Sequence, residues 1–313
     1  MVEQELKDAY KRIQPFIHRT PVLTSLMLNE IAQAELFFKC ENFQKTGSFK
    51  IRGATNAVLK LSTQQKAKGV VTHSSGNFAQ ALALAAKSAA TKAYIVMPHT
   101  ASKVKIEAVK GYGGEIILCE PTLEAREKTA AEVVKNKGAT FLHPSNDLDV
   151  IYGQGTAAME LHETTQNLDI VVTPVGGGGL IAGTALASKT VYPNIKIMGG
   201  EPEAANDAYR SLISGKIEQN QTNDTIADGL RTTLGDKNFP IILKHVSRII
   251  TVSEDEIREA LELIWTRLKI LAEPSSAVAL AAILQQKETF KHQKVGLIIS
   301  GGNVAPKDVI FKD

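Results

Sequence analysis

ENFQKTGSFKIRGA, residues 41–54, puts Lys50 where a short turn gives way to a helical pattern. The apolar run Leu36-Phe37-Phe38 before it reads as a buried strand, and Ile51, Ala54, Ala57, Val58 and Leu61 after it repeat at helical spacing. Gly47-Ser48 supplies the turn and then a helix N-cap. Lys50 therefore falls in the first helical turn, where the helix dipole disfavours a cation. Desolvation and a positive dipole both lower a lysine pKa, as a nucleophilic amine requires. Most lysines at helix starts are nonetheless solvated, so this pattern alone leaves both readings open.

Outward from this stretch the chain alternates. Strands at Val70–Thr72, Ala93–Met97, Glu115–Cys119 and Thr140–His143 are separated by helices at Phe78–Ser88, Ser102–Lys110 and Leu123–Lys137. Helix Tyr152–Thr164 leads to the strand Asp169–Val175, then to helix Leu180–Lys189 and strand Ile195–Gly199. A polar region runs from Asp207 to Leu234. Strand Val246–Val252, helices Glu254–Leu271 and Ser275–Gln285, and strand Val295–Ile299 follow. The N-terminal part adds a helix over 4–14, an extended stretch from Ile17 to Ser25, and a helix from Ser25 to Ala34. Such alternation implies an α/β fold with parallel sheets covered on both faces. The expected division is a large cofactor-binding unit, 1–68 and 146–313, with a small substrate-side unit, 69–145, inserted in it.

Open α/β sheets bind ligands beyond the carboxyl ends of their strands. Ser74-Ser75-Gly76-Asn77, Gly176–Gly179, Glu201-Pro202 and Ser300-Gly301-Gly302-Asn303 all fall there. Successive glycines let backbone N–H groups converge on one point, and the helix after them adds a positive dipole end: a phosphate cradle. No Lys-Ser or Lys-Thr follows, which excludes a nucleoside-triphosphate P-loop. Gly177, Gly179 and Ala182 also satisfy G-x-G-x-x-A, with Glu201 about 20 residues on, so a nicotinamide-dependent dehydrogenase is a rival reading. It leaves Lys50 and the Ser-Gly turns without a role.

The 313 residues, 43% hydrophobic and 22% charged, describe a globular chain and exclude disorder. A net charge of +3 with scattered charges gives no nucleic-acid footprint. Cys40 and Cys119 lack metal-ligand spacing and are read as reduced and buried. No signal-peptide pattern or membrane-length apolar run is present, so a cytoplasmic protein without membrane contact is expected.

A phosphate cradle with a poised lysine suggests pyridoxal 5′-phosphate. Taken together, SFKIRGA around Lys50, THSSGNFAQAL at 72–82, PVGGGGLIAG at 174–183, EPEAAND at 201–207 and SGGN at 300–303 resemble the serine racemase and serine/threonine dehydratase family of fold-type II pyridoxal-phosphate enzymes. The resemblance keeps one register from Thr20 to Val304. It implies that Lys50 holds the cofactor and abstracts the Cα proton, with Phe49 packed against the ring. It implies that Gly176, Gly177, Gly178 and Gly179 bind the phosphate, Asn77 the ring O3′, and Ser300 the pyridine nitrogen. Ser74, Asn77, Arg126 and Thr232 are the implied substrate contacts. Ser75 is the implied acid/base on the opposite face, as racemisation requires; a serine there is also a good helix cap. Glu201, Asp207 and the Ala205 carbonyl match a Mg²⁺ or Ca²⁺ site. Lys45, Tyr112 and Lys269 match positions near a nucleotide site, with ATP as effector, and the family suggests a homodimer.

The expected activity is a serine/threonine ammonia-lyase (dehydratase) acting on a small β-hydroxy amino acid, with serine racemase activity. A dedicated racemase, a 3-hydroxyaspartate dehydratase and a β-replacement enzyme are the alternatives within the fold. Phe78 stands where the family commonly has histidine, which bears on substrate preference. The chain's end at Asp313 is read as leaving no C-terminal regulatory domain, so isoleucine feedback is not expected.

Overall fold

The computed structural model describes residues 2–305; the last eight positions of the proposed large unit, 306–313, lie outside the described residues. Ten strands form two sheets. β1 (Val22–Leu23), β2 (Glu35–Cys40), β7 (Ile170–Pro174), β8 (Lys196–Pro202), β9 (Arg248–Val252) and β10 (Lys294–Ile299) make a sheet in the order β1-β2-β10-β7-β8-β9. β3 (Val70–His73), β4 (Ala93–Pro98), β5 (Glu115–Cys119) and β6 (Thr140–Phe141) make a second sheet in the order β5-β4-β3-β6. All pairings are parallel except β1 with β2, where Val22 faces Lys39.

The sequence pattern of β7 explains its central place. Ile-Val-Val-Thr-Pro is buried at every position, as a strand covered on both faces must be. On one face the alanine-rich helix Pro274–Gln285 packs with Glu254–Leu263; Ile151, Ile181 and Ala185 belong to the core on the other. In the small sheet, Phe78, Ala79 and Leu82 of helix Asn77–Ser88 cover one face, and Ala130 and Val133 of helix Leu123–Lys137 cover the other.

Several expectations need correction. Ser48 is not the helix cap: it is extended, pairs as an isolated bridge with Gly301, and Phe49 takes the cap position without a side-chain bond. The helix expected over Glu254–Leu271 is α-helical only to Leu263, passes through a π turn over Ile264–Leu268, and ends at Lys269 with φ 60°. The Trp265 indole donates to the Ala272 carbonyl at 2.9 Å, which folds the chain back and sends Ala272 into the core. The helix expected from Tyr152 starts at Leu148, because Asp147 accepts from the backbone N–H groups of Asp149 and Val150. Helix Asp207–Ser214 lies in the region read as polar, and helices Thr63–Lys68 and Phe239–His245 lie in stretches to which the pattern assigned no element. Cys40 is buried, but Cys119 is half-exposed.

One buried polar cluster anchors the lysine-bearing helix, Lys50–Lys60. Arg52 donates to Glu41 through Nε at 2.7 Å and Nη2 at 2.8 Å, and to Glu160 at 2.9 and 2.7 Å. Lys39 donates to Glu160 at 2.6 Å and to the Thr20 carbonyl at 2.7 Å. Two cations thus face two carboxylates at almost no exposure, which satisfies the charges only if all four remain.

Candidate active site

The Lys50 stretch and the last strand, far apart in sequence, are hydrogen-bonded to one another. Phe49 N donates to the Ser300 carbonyl at 3.0 Å, and Gly302 N to the Gly47 carbonyl at 2.9 Å. Phe49 packs with Leu180, the residue after the glycine run, and with Ile298. Lys50 opens its helix, so the amine sits near unpaired N–H groups. Its Nζ donates to the Pro144 carbonyl at 2.9 Å and lies 5.0 Å from the Phe49 ring centroid and 5.9 Å from that of Phe78. Burial lowers the amine to about 8, against an opposing pull from the Glu273 carboxylate.

Glycine is obligatory through the run after β7. A Cβ at Gly176 would lie 2.7 Å from Leu230 Cα, one at Gly177 would overlap Ser145 Oγ, and one at Gly179 would lie 2.9 Å from Ser145 Cα. Gly178 has φ +78°, and its Cβ would lie 2.6 Å from Leu234 Cδ2. It caps the 13-residue helix Gly179–Val191 with no side-chain bond, leaving the helix's first N–H groups free for a ligand. A phosphate fits this backbone, which no side chain can occupy. Thr232 Oγ1 lies 3.0 Å from the position a Gly177 Cβ would take, so Thr232 joins the cradle.

Ser300 is 3% exposed, and its Oγ lies 3.0 Å from Ser276 Oγ, which also donates to the Gly301 carbonyl and accepts from Gly301 N. A neutral hydroxyl, held by another hydroxyl, is what a pyridine nitrogen would meet there. Asn77 is engaged at both ends: Nδ2 donates to Glu273 at 2.9 Å and Oδ1 accepts from Asn303 Nδ2 at 2.9 Å. Nδ2 also donates to the second Glu273 oxygen at 3.1 Å, so a ring hydroxyl would share or replace one of these bonds.

Ser74 and Ser75 sit between β3 and helix Asn77–Ser88, which is capped by Gly76 and not by Ser75. Ser74 Oγ accepts from Gly76 N at 3.4 Å, whereas no protein partner among the described residues binds the Ser75 hydroxyl. Arg126 is apart from this group: its Nε donates to the Thr122 carbonyl of its own helix, and its charge is felt by His73 and Cys119. Phe78 is 1% exposed in a core cluster that also takes in Ile51 and Ala54 of the Lys50 helix, so its ring contributes to desolvating Lys50.

Glu273, Asn303, Ser276, Ser145 and Asn238 were not singled out in the sequence. Glu273 is 4% exposed, and burial raises its carboxyl to about 7. Its only sequence signal is an acid directly before the Pro that starts helix Pro274–Gln285. Asn238 donates to the Ser145 and Gly177 carbonyls at 3.1 and 2.8 Å, a role no linear motif announces.

Glu201 ends β8, Ala205 lies in the turn Glu203–Ala205, and Asp207 opens the next helix. Glu201 accepts from Ala208 N at 3.0 Å and Tyr209 N at 2.8 Å, so it is turned inward and cannot bind a ribose as the dehydrogenase reading requires. Burial raises Glu201 well above the usual carboxylate range and Asp207 to about 6. Asp207 Oδ1 is buried without a partner, which a hard cation would satisfy. Among the described residues no group of three or more His, Cys, Asp or Glu gathers, so backbone carbonyls and water would complete such a shell.

Known proteins resemble this chain over nearly its whole length. A serine racemase of Dictyostelium discoideum is 52% identical over 305 residues, covering 96% of this chain and 94% of the relative. A beta-hydroxyaspartate dehydratase of Paracoccus denitrificans is 50% identical over 301 residues, covering 96% of each. The crystal structure of Serine Racemase from Dictyostelium discoideum superimposes with a TM-score of 0.93 at 51% identity, covering 96% of this chain and 98% of that one. Residues 13–301 match the family described as "Pyridoxal-phosphate dependent enzyme", and the chain belongs to that family.

Proposed function

We propose that this protein is a pyridoxal-phosphate-dependent ammonia-lyase that converts L-serine, L-threonine or a related β-hydroxy amino acid to a 2-oxo acid and ammonia, and that it also racemises serine. One observation carries the reading: a lysine whose amine is lowered to about 8 follows Phe49, which bonds the Ser300 carbonyl and packs with Leu180 directly after the glycine run. When bound, the cofactor supplies an electron sink that acidifies the substrate Cα–H. Gly176–Gly179 would hold its phosphate, Phe49 its ring face, Asn77 its O3′ and Ser300 its nitrogen. Because Ser300 is a hydroxyl and not a carboxylate, it would leave the ring nitrogen unprotonated, which would favour elimination over prolonged charge storage.

Lys50, as neutral amine, takes the Cα proton from one face. Ser75, whose hydroxyl no protein group among the described residues engages, would return a proton from the other. Loss of the β-hydroxyl as water before that return leaves an enamine that, once released, hydrolyses to the oxo acid and ammonia; the return gives the enantiomer. Ser74 and Thr232 are proposed for the substrate carboxylate, with residues 69–145 as the substrate-side unit and 1–68 and 146–313 as the cofactor unit; Arg126, bonded to its own helix, is left out of the set. A dehydratase preferring 3-hydroxyaspartate is the second reading, favoured by the name of the Paracoccus relative.

A panel of L-serine, D-serine, L-threonine and 3-hydroxyaspartate, with oxo acid and enantiomer measured together, decides among these. Ser75→Ala is expected to suppress D-serine formation at least tenfold and keep dehydration, in line with the typical weight of a general acid. Equal loss of both would remove Ser75 from this role.

We also propose a Mg²⁺ or Ca²⁺ ion on Glu201, Asp207 and the Ala205 carbonyl. Leu234 N donates to Asp207 Oδ2 at 2.9 Å, and Leu234 covers Gly178, so the ion would stiffen the cradle's roof. Chelation should lower the melting temperature and reduce cofactor retention; a protein indifferent to EDTA in both has no such ion. A cytoplasmic homodimer with ATP as effector completes the proposal. Asn42 Nδ2 donates to the Leu271 carbonyl at 3.0 Å, which draws the turns bearing Lys45 and Lys269 together. Sedimentation with and without ATP tests both. Among the described residues no helix is long and apolar enough to cross a membrane.

A further inference from the structure

His143-Pro144-Ser145-Asn146 carries the chain from β6 of the small sheet to the helix Leu148–Thr164 under the large one. The His143 side chain closes this crossover on itself. Its Nδ1 accepts from Ser145 N at 3.2 Å and from Asn146 N at 2.8 Å. A backbone N–H can only donate, so Nδ1 is an acceptor and the ring proton resides on Nε2. The ring is fixed edge-on between His73, 6.0 Å away, and Phe141, 6.2 Å away.

What this crossover touches is the site described above. The Pro144 carbonyl accepts from Lys50 Nζ. Ser145, 5% exposed, fills the space beside Gly177 and Gly179. The Ser145 carbonyl shares Asn238 with the Gly177 carbonyl. Asn146 accepts from Lys237 N at 2.8 Å and donates to Asp236 at 2.7 Å. Three consecutive residues thus seat the lysine, wall the cradle and tie it to the loop before Phe239–His245. Two of them, Ser145 and Asn146, are bound by one imidazole nitrogen, and Pro144 is pinned between them and His143.

We propose that His143 is a positioning residue: by accepting two backbone N–H groups at Nδ1 it holds residues 144–146 in the form that seats Lys50 and completes the phosphate cradle. The inference rests on the proposed reading of the glycine run as that cradle. The charges facing the ring favour the neutral form it needs. Lys50, Lys237 and His73 oppose a positive charge and Asp236 alone supports one, with Glu127 on the groove that His73, Phe141 and His143 line. Burial and these cations hold the imidazole down at about 4, so it stays an acceptor throughout the neutral range.

Asparagine and leucine separate the acceptor from the bulk. The amide oxygen of His143→Asn can accept where Nδ1 does, and His143→Leu fills similar space without an acceptor. The probe is 4′-deoxypyridoxine 5′-phosphate, which has the ring and phosphate of the cofactor and cannot react with an amine. At pH 7.5, His143→Leu is expected to weaken its binding about tenfold or more, the loss of two backbone hydrogen bonds. His143→Asn is expected to stay within about threefold of the unaltered protein. Gly178→Ala serves as the arm for the cradle itself. If Gly178→Ala binds the probe normally, the cradle reading falls and this inference with it. If Gly178→Ala fails to bind while His143→Leu binds normally, this inference alone falls. Should His143→Leu not fold, nitrogen-15 spectra of the unaltered protein decide: an Nε2–H tautomer that does not titrate between pH 5 and 8 supports the role, and an Nδ1–H tautomer overturns it.

Discussion

Raising the pH across the neutral range should switch on the nucleophilicity of Lys50 far earlier than that of an ordinary lysine. In the folded protein the amine ionises at about 8, against a usual value of 10.5. At pH 7 about one molecule in eleven then carries a neutral amine, where an unperturbed lysine would offer about one in three thousand, a gain of roughly 300-fold. Two forces set this position. Burial among Phe49, Phe78 and the crossover disfavours the ammonium, and the Glu273 carboxylate favours it. Glu273→Gln removes the anion and keeps a carbonyl oxygen in the place of Oε2, which accepts from Asn77 Nδ2 and Asn303 N, both at 3.1 Å. The Lys50 midpoint should therefore move below 8 in that variant. Trace labelling of the cofactor-free protein with acetic anhydride from pH 6 to 10.5, with the Lys50 peptide quantified by mass spectrometry against surface lysines, reads the midpoint directly. A Lys50 curve superimposed on the surface lysines refutes the desolvation argument. A Glu273→Gln midpoint above that of the unaltered protein refutes the role of the carboxylate.

Gly178→Ala forces a side chain into the left-handed region at φ +78° and against Leu234, Asn238 and Ile242 at 2.6–2.9 Å. Strain of about 1–2 kcal/mol and overpacking of about 1–3 kcal/mol add to roughly 2–5 kcal/mol, which should weaken cofactor binding at least about 30-fold, as read by fluorescence titration, with an unchanged far-ultraviolet spectrum. Arg52→Met leaves the buried Glu41 and Glu160 carboxylates without their shared cation. It should cost about 3–5 kcal/mol in urea unfolding, whereas the exposed pair Arg19–Glu163 should contribute no more than about 1 kcal/mol when broken.

The alternation of strands and helices, the place of each ligand-facing turn and the identity of the lysine were all legible from period and punctuation. Local chemistry writes these directly: a strand buried on both faces must be apolar throughout, as β7 is, and a backbone that approaches a phosphate must be glycine. Where the reading slipped, tertiary contacts overrode a sound local pattern. Ser48 is a good cap by type, yet pairing with Gly301 holds it extended. The amphipathic period of the helix from Glu254 continues to Leu271, yet the Trp265–Ala272 bond turns the chain at Lys269. Ser75 likewise has the residue type of a cap but leaves capping to Gly76, which frees its hydroxyl.

By itself the sequence determined the fold class and the pyridoxal-phosphate family, and it pointed to the lysine and the glycine run proposed for the site, because these depend on residue types at short, fixed spacings. The tertiary structure alone decided how Lys50 is tuned. Glu273 and Pro144 meet it from 223 and 94 positions away, and no linear pattern encodes a field or a desolvation that arises only when distant segments close around one atom. His143 belongs to the same class: its two acceptor bonds are local, and their consequence for Lys50 and the cradle exists only because the crossover passes between the two sheets.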